Sequence, residues 1–205
     1  MQLVLTNEHS VYNRKTYAIY SEMPKEDIIP KLIPVFRNYG YEGATVSRLS
    51  QATGLKKASL YHHFQGGKEQ MAEAALAYVG EWLEANIFAP LKSSKPASER
   101  LQDMIQHLAK FYGQGQTPCL LAVMSLGEAD NIFHRQLDSS LQKWLNEFTR
   151  LAQETGISSA EAKTRAEDAM IAIQGSLVVA RVSNDPQPFQ RAIAKLPQIL
   201  LPTST

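Results

Sequence analysis

Apolar residues recur along this chain at steps of three and four and rarely alternate, which is the spacing of helices that bury one face. Ile28, Leu32, Val35, Phe36 and Tyr39 give the first clear stripe, over 24–39, and Gly40 is placed to stop it. Thr45 is placed to cap a second helix whose apolar side is Val46, Leu49 and Ala52, and Gly54 closes it after about two turns. A third short helix, about 57–64, carries Leu60, Tyr61 and Phe64 and ends at Gly66-Gly67. A longer one runs from about 68 to 87 with Met71, Ala75, Tyr78, Val79 and Trp82 on it.

Pro90 and the SSKPAS stretch (93–98) read as a linker. Helical patterning resumes at 98–113, at about 118–128 and over 131–155, where Gly156 closes it. Ser159 caps a further helix to about 182, NDPQP (184–188) breaks it, and a last helix spans about 188–200. The first 22 residues lack a period and read as an irregular arm, with LVL its one strand-like fragment and Arg14 and Lys15 its basic residues. The pattern predicts an all-α chain with the arm at 1–22, a small helical unit at 23–70 and a larger helical unit at 71–205. Pro30 and Pro34 interrupt the first stripe. A proline inside a helix costs about 3 kcal/mol unless accommodated, so a bend is expected there, or a start near Pro30.

Composition narrows the class. Hydrophobic residues make up 44% and charged residues 20%, as in ordinary globular proteins. No apolar run reaches the roughly 18 residues that cross a bilayer, and MQLVLTNEHS lacks a basic head before an apolar stretch. No membrane association and a cytoplasmic location are therefore expected. The single cysteine, Cys119, excludes an internal disulfide and suits a reducing compartment. Net charge is only +1, but residues 23–70 hold seven Lys/Arg against four acids, which suits an anionic partner at that end.

The chemistry concentrates in TGLKKASLYHHF (53–64). Two short helices joined by a glycine turn suit a helix-turn-helix. Leu60 and Phe64 face inward and leave Lys56, Lys57, Ser59, His62 and His63 outward. Lysine and serine suit base acceptors and phosphates, tyrosine and histidine suit phosphate oxygens, and Lys68 opens a helix whose first N–H groups favour an anion. Adjacent helical residues point about 100° apart, so His62 and His63 are poor joint metal ligands, and no metal or cofactor is expected. The chain carries no glycine-rich nucleotide loop, nucleophile elbow or zinc-protease histidine pair, so an enzyme is not expected.

GYEGATVSRLSQATGLKKASLYHHFQGGKEQM (40–71) resembles the DNA-binding domain of the TetR (tetracycline repressor-like) family of bacterial regulators. The features that carry the resemblance are Gly40-Tyr41, Thr45, Gly54-Leu55, Leu60-Tyr61, His63-Phe64 and Lys68-Glu69. The clear match covers about 28–71, and the remainder is similar in layout. The resemblance implies a helix-turn-helix domain followed by a helical-bundle domain for ligand binding and dimerisation. It implies a homodimer on a palindromic double-stranded operator, usually repressing, released when a small-molecule effector changes the spacing of the two heads. It places Lys57, Ala58, Ser59, Tyr61, His62 and His63 at the DNA surface, and Thr45 and Lys68 on phosphates. For Tyr61, a buried ring with a hydroxyl reaching phosphate satisfies both its position and its polarity.

In the larger unit, the expected effector pocket touches the 68–87 helix and is lined by Met104, Leu108, Phe111, Leu121, Met124 and Trp144, with Gln174 as polar anchor. Methionine and aromatic richness suits an adaptable apolar cavity. No basic cluster lies there, so the expected effector is apolar or aromatic. Cys119, after Pro118, is either a thiol sensor of oxidants or electrophiles, the alternative mode of response, or a small buried residue. For the dimer, Leu141, Leu145 and Phe148 give one ridge and Ala169, Ile173, Leu177 and Ala180 the other. Ala172, Gly175 and Ser176 permit close helix approach.

Overall fold

The first apolar stripe forms helix α1, Lys25–Gly43, in a computed structural model that describes residues 23–202. The arm at 1–22, with LVL, Arg14 and Lys15, lies outside the described residues. Ile28, Leu32, Val35 and Phe36 are buried along α1, whereas Tyr39, expected on the same face, is 52% exposed. Gly40 breaks the regular helix with a left-handed φ of 66°, which a side chain would strain. The prolines behave differently from expectation. α1 starts at Lys25 and keeps helical dihedrals through Pro30 and Pro34. Pro34 is exposed and Pro30 half-buried, so the ladder bonds they remove lie on the outer side, where water can replace them.

Helix α2, Val46–Thr53, starts where Thr45 Oγ1 accepts from Arg48 N at 3.3 Å and stops at Gly54, with φ 74°. Ala52 is exposed, which corrects its assignment to the apolar side. Thr53 takes the inner position, its hydroxyl donating to Leu49 O at 2.8 Å and accepting from Leu55 N at 3.3 Å. Helix α3, Lys57–His63, is then anchored by Leu55, Leu60 and Phe64, at 1%, 0% and 0% exposure.

Helix α4, Gly67–Leu83, continues through a π turn, Glu84–Phe88, into Ala89–Leu91. The wider turn shifts the helical register, and Ile87 and Phe88 within it and Leu91 beyond it are buried. The rest comprises α5 (Ala97–Phe111), a 3₁₀ turn (Gly113–Gly115), α6 (Leu120–Met124), α7 (Glu128–Glu154), α8 (Ser159–Ser183), α9 (Gln187–Ala194) and α10 (Leu196–Leu200). The last segment is two short helices rather than one, divided at Lys195. Among the described residues there is no strand, and no helix is long and apolar enough to cross a membrane.

Two hydrophobic clusters organise these helices. One joins α1–α4 to Leu120 and Met124 of α6 and to Ala129, Phe133 and Leu137 of α7. The other fills the body between α4, α5, α7, α8, α9 and α10. The short α6 and the first turns of α7 therefore share a core with the N-terminal helices, and Val79 and Leu121 pack against both clusters. At the far end of α4, Arg100 donates to Leu91 O at 2.6 Å and to Glu154 Oε2 at 2.5 Å, and Arg150 donates to the same Leu91 O at 2.9 Å.

A second tie joins α1 to α7. Gly127 offers α7 no capping side chain, and Glu42 Oε1 accepts from Glu128 N at 2.6 Å in its place. Its own backbone N–H and that of Glu128 hold the Glu42 carboxyl below the usual carboxylate range. The stability this cap contributes is present above the ordinary carboxylate pKa and is lost as pH falls through the lowered folded value. Glu42→Ala is expected to cost about 0.5–1 kcal/mol at neutral pH, at the low end for a cap because the site is exposed. In urea melts the gap between parent and variant should close as the solution is acidified.

Candidate nucleic-acid interface and effector region

On α3, Lys57, Ala58, Tyr61 and His62 are exposed, Lys56 is exposed at the N-cap, and Ser59 and His63 are half-buried. Lys57, Ala58, Tyr61 and His62 form the exposed stripe, and Leu60 and Phe64 set the helix into the core. A helix with its side chains is about 10–12 Å across and fits the B-DNA major groove, about 12 Å wide. The stripe is thus presented on a short helix fixed in a core. Tyr61 is 48% exposed, which corrects its expected buried ring: the ring lies on the surface beside Gly67.

The histidines differ. His62 is exposed, and its ring meets that of His63 edge-on at 5.7 Å. His63 Nε2 is buried without a partner. Burial, then His62 and Lys25, push the His63 pKa below the usual histidine value, so His63 is a neutral hydrogen-bonding group at neutral pH. Lys25 lies 4.7 Å from the Phe64 ring centre.

Thr45 and Lys68 are both engaged within the fold. Thr45 caps α2, and Lys68 Nζ donates to Tyr41 O at 3.0 Å while lying 4.0 Å from the Tyr41 ring centre. That contact fixes the ammonium beside the start of α4. Sequence reasoning missed the pairing of Arg48 with Tyr39 on the outside of α1 and α2. Arg48 donates to Gly43 O at 2.8 Å and stacks 4.3 Å over the exposed Tyr39 ring. The available signal was Arg48's place in the basic count, whereas the i, i+3, i+4 spacing made Tyr39 look like core.

In the body, Met104, Leu108 and Trp144 are buried in one cluster, with Phe111 and Leu121 packed partly against it. Met124 lies in the other cluster, with Phe36, Met71 and Phe133, which corrects its grouping with the rest. Gln174 lies near the Tyr112 hydroxyl. That hydroxyl donates to Cys119 Sγ at 3.4 Å. Cys119 is 8% exposed, and a thiol sensor needs access to solvent, so its surroundings favour the buried reading. Two surface grooves lie elsewhere. One of about 400 Å³ runs between α4 and α7 past Leu76, Gly80, Gln136 and Ser140. One of about 330 Å³ runs between α8 and α9–α10 past Ala172, Val179, Arg191 and Ile199.

Arg37 is one of the seven basic residues of the N-terminal unit. It is 8% exposed, with its guanidinium 4.5 Å from the Phe111 ring centre. Phe111 stacks on Trp82 at 4.5 Å and 18° and meets Tyr112 edge-on. A residue of α1 thus enters the aromatic corner of the body.

The expected dimer ridges are inside the protomer. Phe148, Ala169, Ile173, Leu177 and Ala180 are buried, and Leu141 and Leu145 pack against the same core. The outward face of α8 instead carries Ile171, Val178, Val179 and Val182, exposed by 67%, 61%, 53% and 84%. They stand at i, i+7, i+8 and i+11, and Gly175 stands between them with open space above its Cα.

Comparison with known proteins agrees with this arrangement. The family model of bacterial regulatory proteins of the tetR family matches residues 33–75, and that of the LmrA/YxaF-like transcriptional regulator C-terminal domain matches 97–195. The chain is similar to the HTH-type transcriptional regulator LmrA of Bacillus subtilis, 22% identical over 86% of this chain and 96% of LmrA. It is also similar to the HTH-type transcriptional repressor DhaR of Mycobacterium sp. (strain GP1), 26% identical over 88% of this chain and 93% of DhaR. A solved TetR transcriptional regulator from Legionella pneumophila shares the fold with a TM-score of 0.74 at 18% identity, over 86% of this chain and 96% of that one. AibR, solved in complex with isovaleryl coenzyme A and operator DNA, shares it with a TM-score of 0.63 at 18% identity, over 86% of this chain and 97% of AibR. With the helix-turn-helix at its N-terminal end and an all-helical body behind it, the chain belongs to the TetR family of bacterial transcriptional regulators.

Proposed function

We propose that this regulator represses transcription as a homodimer. Two heads, residues 23–70 of each protomer, set α3 into successive major grooves of a palindromic operator. Lys56, Lys57, Ala58, Ser59, Tyr61, His62 and His63 face the DNA, and Thr45 and Lys68 border the phosphates. The carrying observation is the polar stripe of α3, exposed on a helix that Leu60 and Phe64 set into the core. Relatives support the role: DhaR is named a repressor, and AibR was solved with both operator DNA and a small molecule.

The second copy covers the outward face of α8. Four exposed β-branched side chains along one stripe are costly in water, and Gly175 at its middle lets two helices approach closely. Such a stripe pairs with itself about a two-fold axis.

Release follows when a small aromatic effector occupies the body, residues 71–205. A ligand shifts the heads only through different affinities for the two arrangements. The shared core of α6, α7 and the head provides the route, because Leu121 touches both clusters.

The test is operator binding by Lys57→Ala and His62→Ala. Both residues are exposed, so the fold should be unchanged. Lys57→Ala should weaken binding and reduce the salt slope by about one unit if it meets a phosphate. His62→Ala should weaken binding by about 1–2 kcal/mol. Parental affinity of both variants at matched salt assigns DNA contact to another surface.

A further inference from the structure

We propose that the effector carries an acidic group, and that Arg37, a residue of the head helix α1, is the side chain that receives it. This rests on the ligand-responsive reading above and names the chemical class of the ligand.

Arg37 is 8% exposed and its Nε is buried without a partner. Among the described residues no hydrogen bond or carboxylate neutralises it. The fold treats its other buried arginine differently. Arg100, at 7% exposure, donates to Leu91 O at 2.6 Å and to Glu154 at 2.5 Å. A buried guanidinium without an anion is destabilising, and the protein keeps one where it meets the aromatic corner.

The neighbours cannot supply the missing charge. Tyr112 and Cys119 are close enough to act on Arg37. Burial first, then Cys119, push the Tyr112 hydroxyl well above its ordinary pKa, so it stays a neutral phenol. That hydroxyl already donates to Cys119 Sγ. Burial also lowers the Arg37 pKa, which an incoming anion would reverse.

Around this charge, Trp82 and Phe111 form a stacked pair that remains half-buried, a flat apolar wall reached from the surface. The matching ligand is an aromatic acid: its ring suits the wall and its carboxylate suits the planar fork of the guanidinium. Arg37 is carried by α1, Trp82 by α4, Phe111 by α5 and Gln174 by α8. Charge placed on Arg37 therefore bears directly on how the head is held against the body. Sequence reading expected an uncharged effector because it counted only the basic residues of the body, and this one arrives from the head.

The test uses the full chain with 2-naphthoate and its uncharged analogue 2-naphthamide, titrated by calorimetry into the parent and Arg37→Met. The parent should bind the carboxylate at least about tenfold tighter than the amide, or roughly 1.4 kcal/mol. Arg37→Met should lose that preference and melt no lower than the parent, because it removes an unpaired buried charge. Equal affinity for both probes, no carboxylate binding at millimolar concentration, a preference that survives in Arg37→Met, or a lowered melting temperature would each overturn the proposal. Operator retardation separates the two readings. Release by both probes alike keeps effector control and overturns acid recognition, whereas charge-selective binding without release keeps the acid site and overturns effector control.

Discussion

Val178→Glu will sediment as a folded monomer where the parent sediments as a dimer, and its operator affinity will fall at least about 100-fold. Val178 is 61% exposed in the protomer, so glutamate there meets water and leaves each subunit intact. In the seam the same carboxylate loses water beside the valines of a second copy. An unpaired buried charge costs several kcal/mol. Loss of the partner head then removes the bivalent gain of a two-site operator, about 10²–10⁴ in affinity. The neighbouring position supplies the contrast. Leu177 is 5% exposed in the protomer core, so Leu177→Glu should unfold the body rather than separate intact subunits. Sedimentation and circular dichroism on the pair decide the matter: a Val178→Glu dimer removes α8 from the interface.

Arg100→Ala will lower stability by about 1–3 kcal/mol, the scale of charge-assisted hydrogen bonds lost from a buried side chain whose carboxylate partner is exposed. Two charge-assisted hydrogen bonds disappear, to Leu91 O and to Glu154, along with the packing of a side chain that is 7% exposed. Arg150 still reaches Leu91 O and Glu154, which keeps the loss below the upper end of that range. The Arg100 guanidinium holds the Glu154 carboxyl below its usual range. Its contribution is complete above the ordinary carboxylate pKa and fades as pH falls through the lowered value. Arg100→Lys should recover little, because one ammonium cannot span both acceptors as the planar fork does. Equal denaturant midpoints for parent and Arg100→Ala would show the network to be ornamental.

The head was legible because its determinants are local. Thr45, Gly54 and the Leu55, Leu60, Phe64 triplet act within a few residues of one another, and caps, turns and anchors of that kind can be read from spacing. The prolines of α1 misled because the ordinary cost of proline assumes an interior position, whereas Pro34 lies on the solvent side. α8 misled for another reason. Both of its faces are apolar: Ala169, Ile173, Leu177 and Ala180 on one, Ile171, Val178, Val179 and Val182 on the other. Periodicity cannot say which face meets its own protomer. Arg37 was hidden by distance, since Phe111, Tyr112 and Cys119 lie more than 70 residues further along the chain. The Glu42 cap on α7 and the transfer of Met124 to the head-side core are long-range in the same way.

The central claim is that two copies of α3 read a two-fold symmetric site. Hydroxyl-radical footprinting of a genomic fragment retained by the protein tests it most directly. The account predicts protection of two equivalent half-sites related by a dyad, centred about one helical turn, or a whole multiple of it, apart, with both half-sites lost together in Lys57→Ala/His62→Ala. A single unsymmetric footprint, or a symmetric one that survives that double substitution, would contradict it.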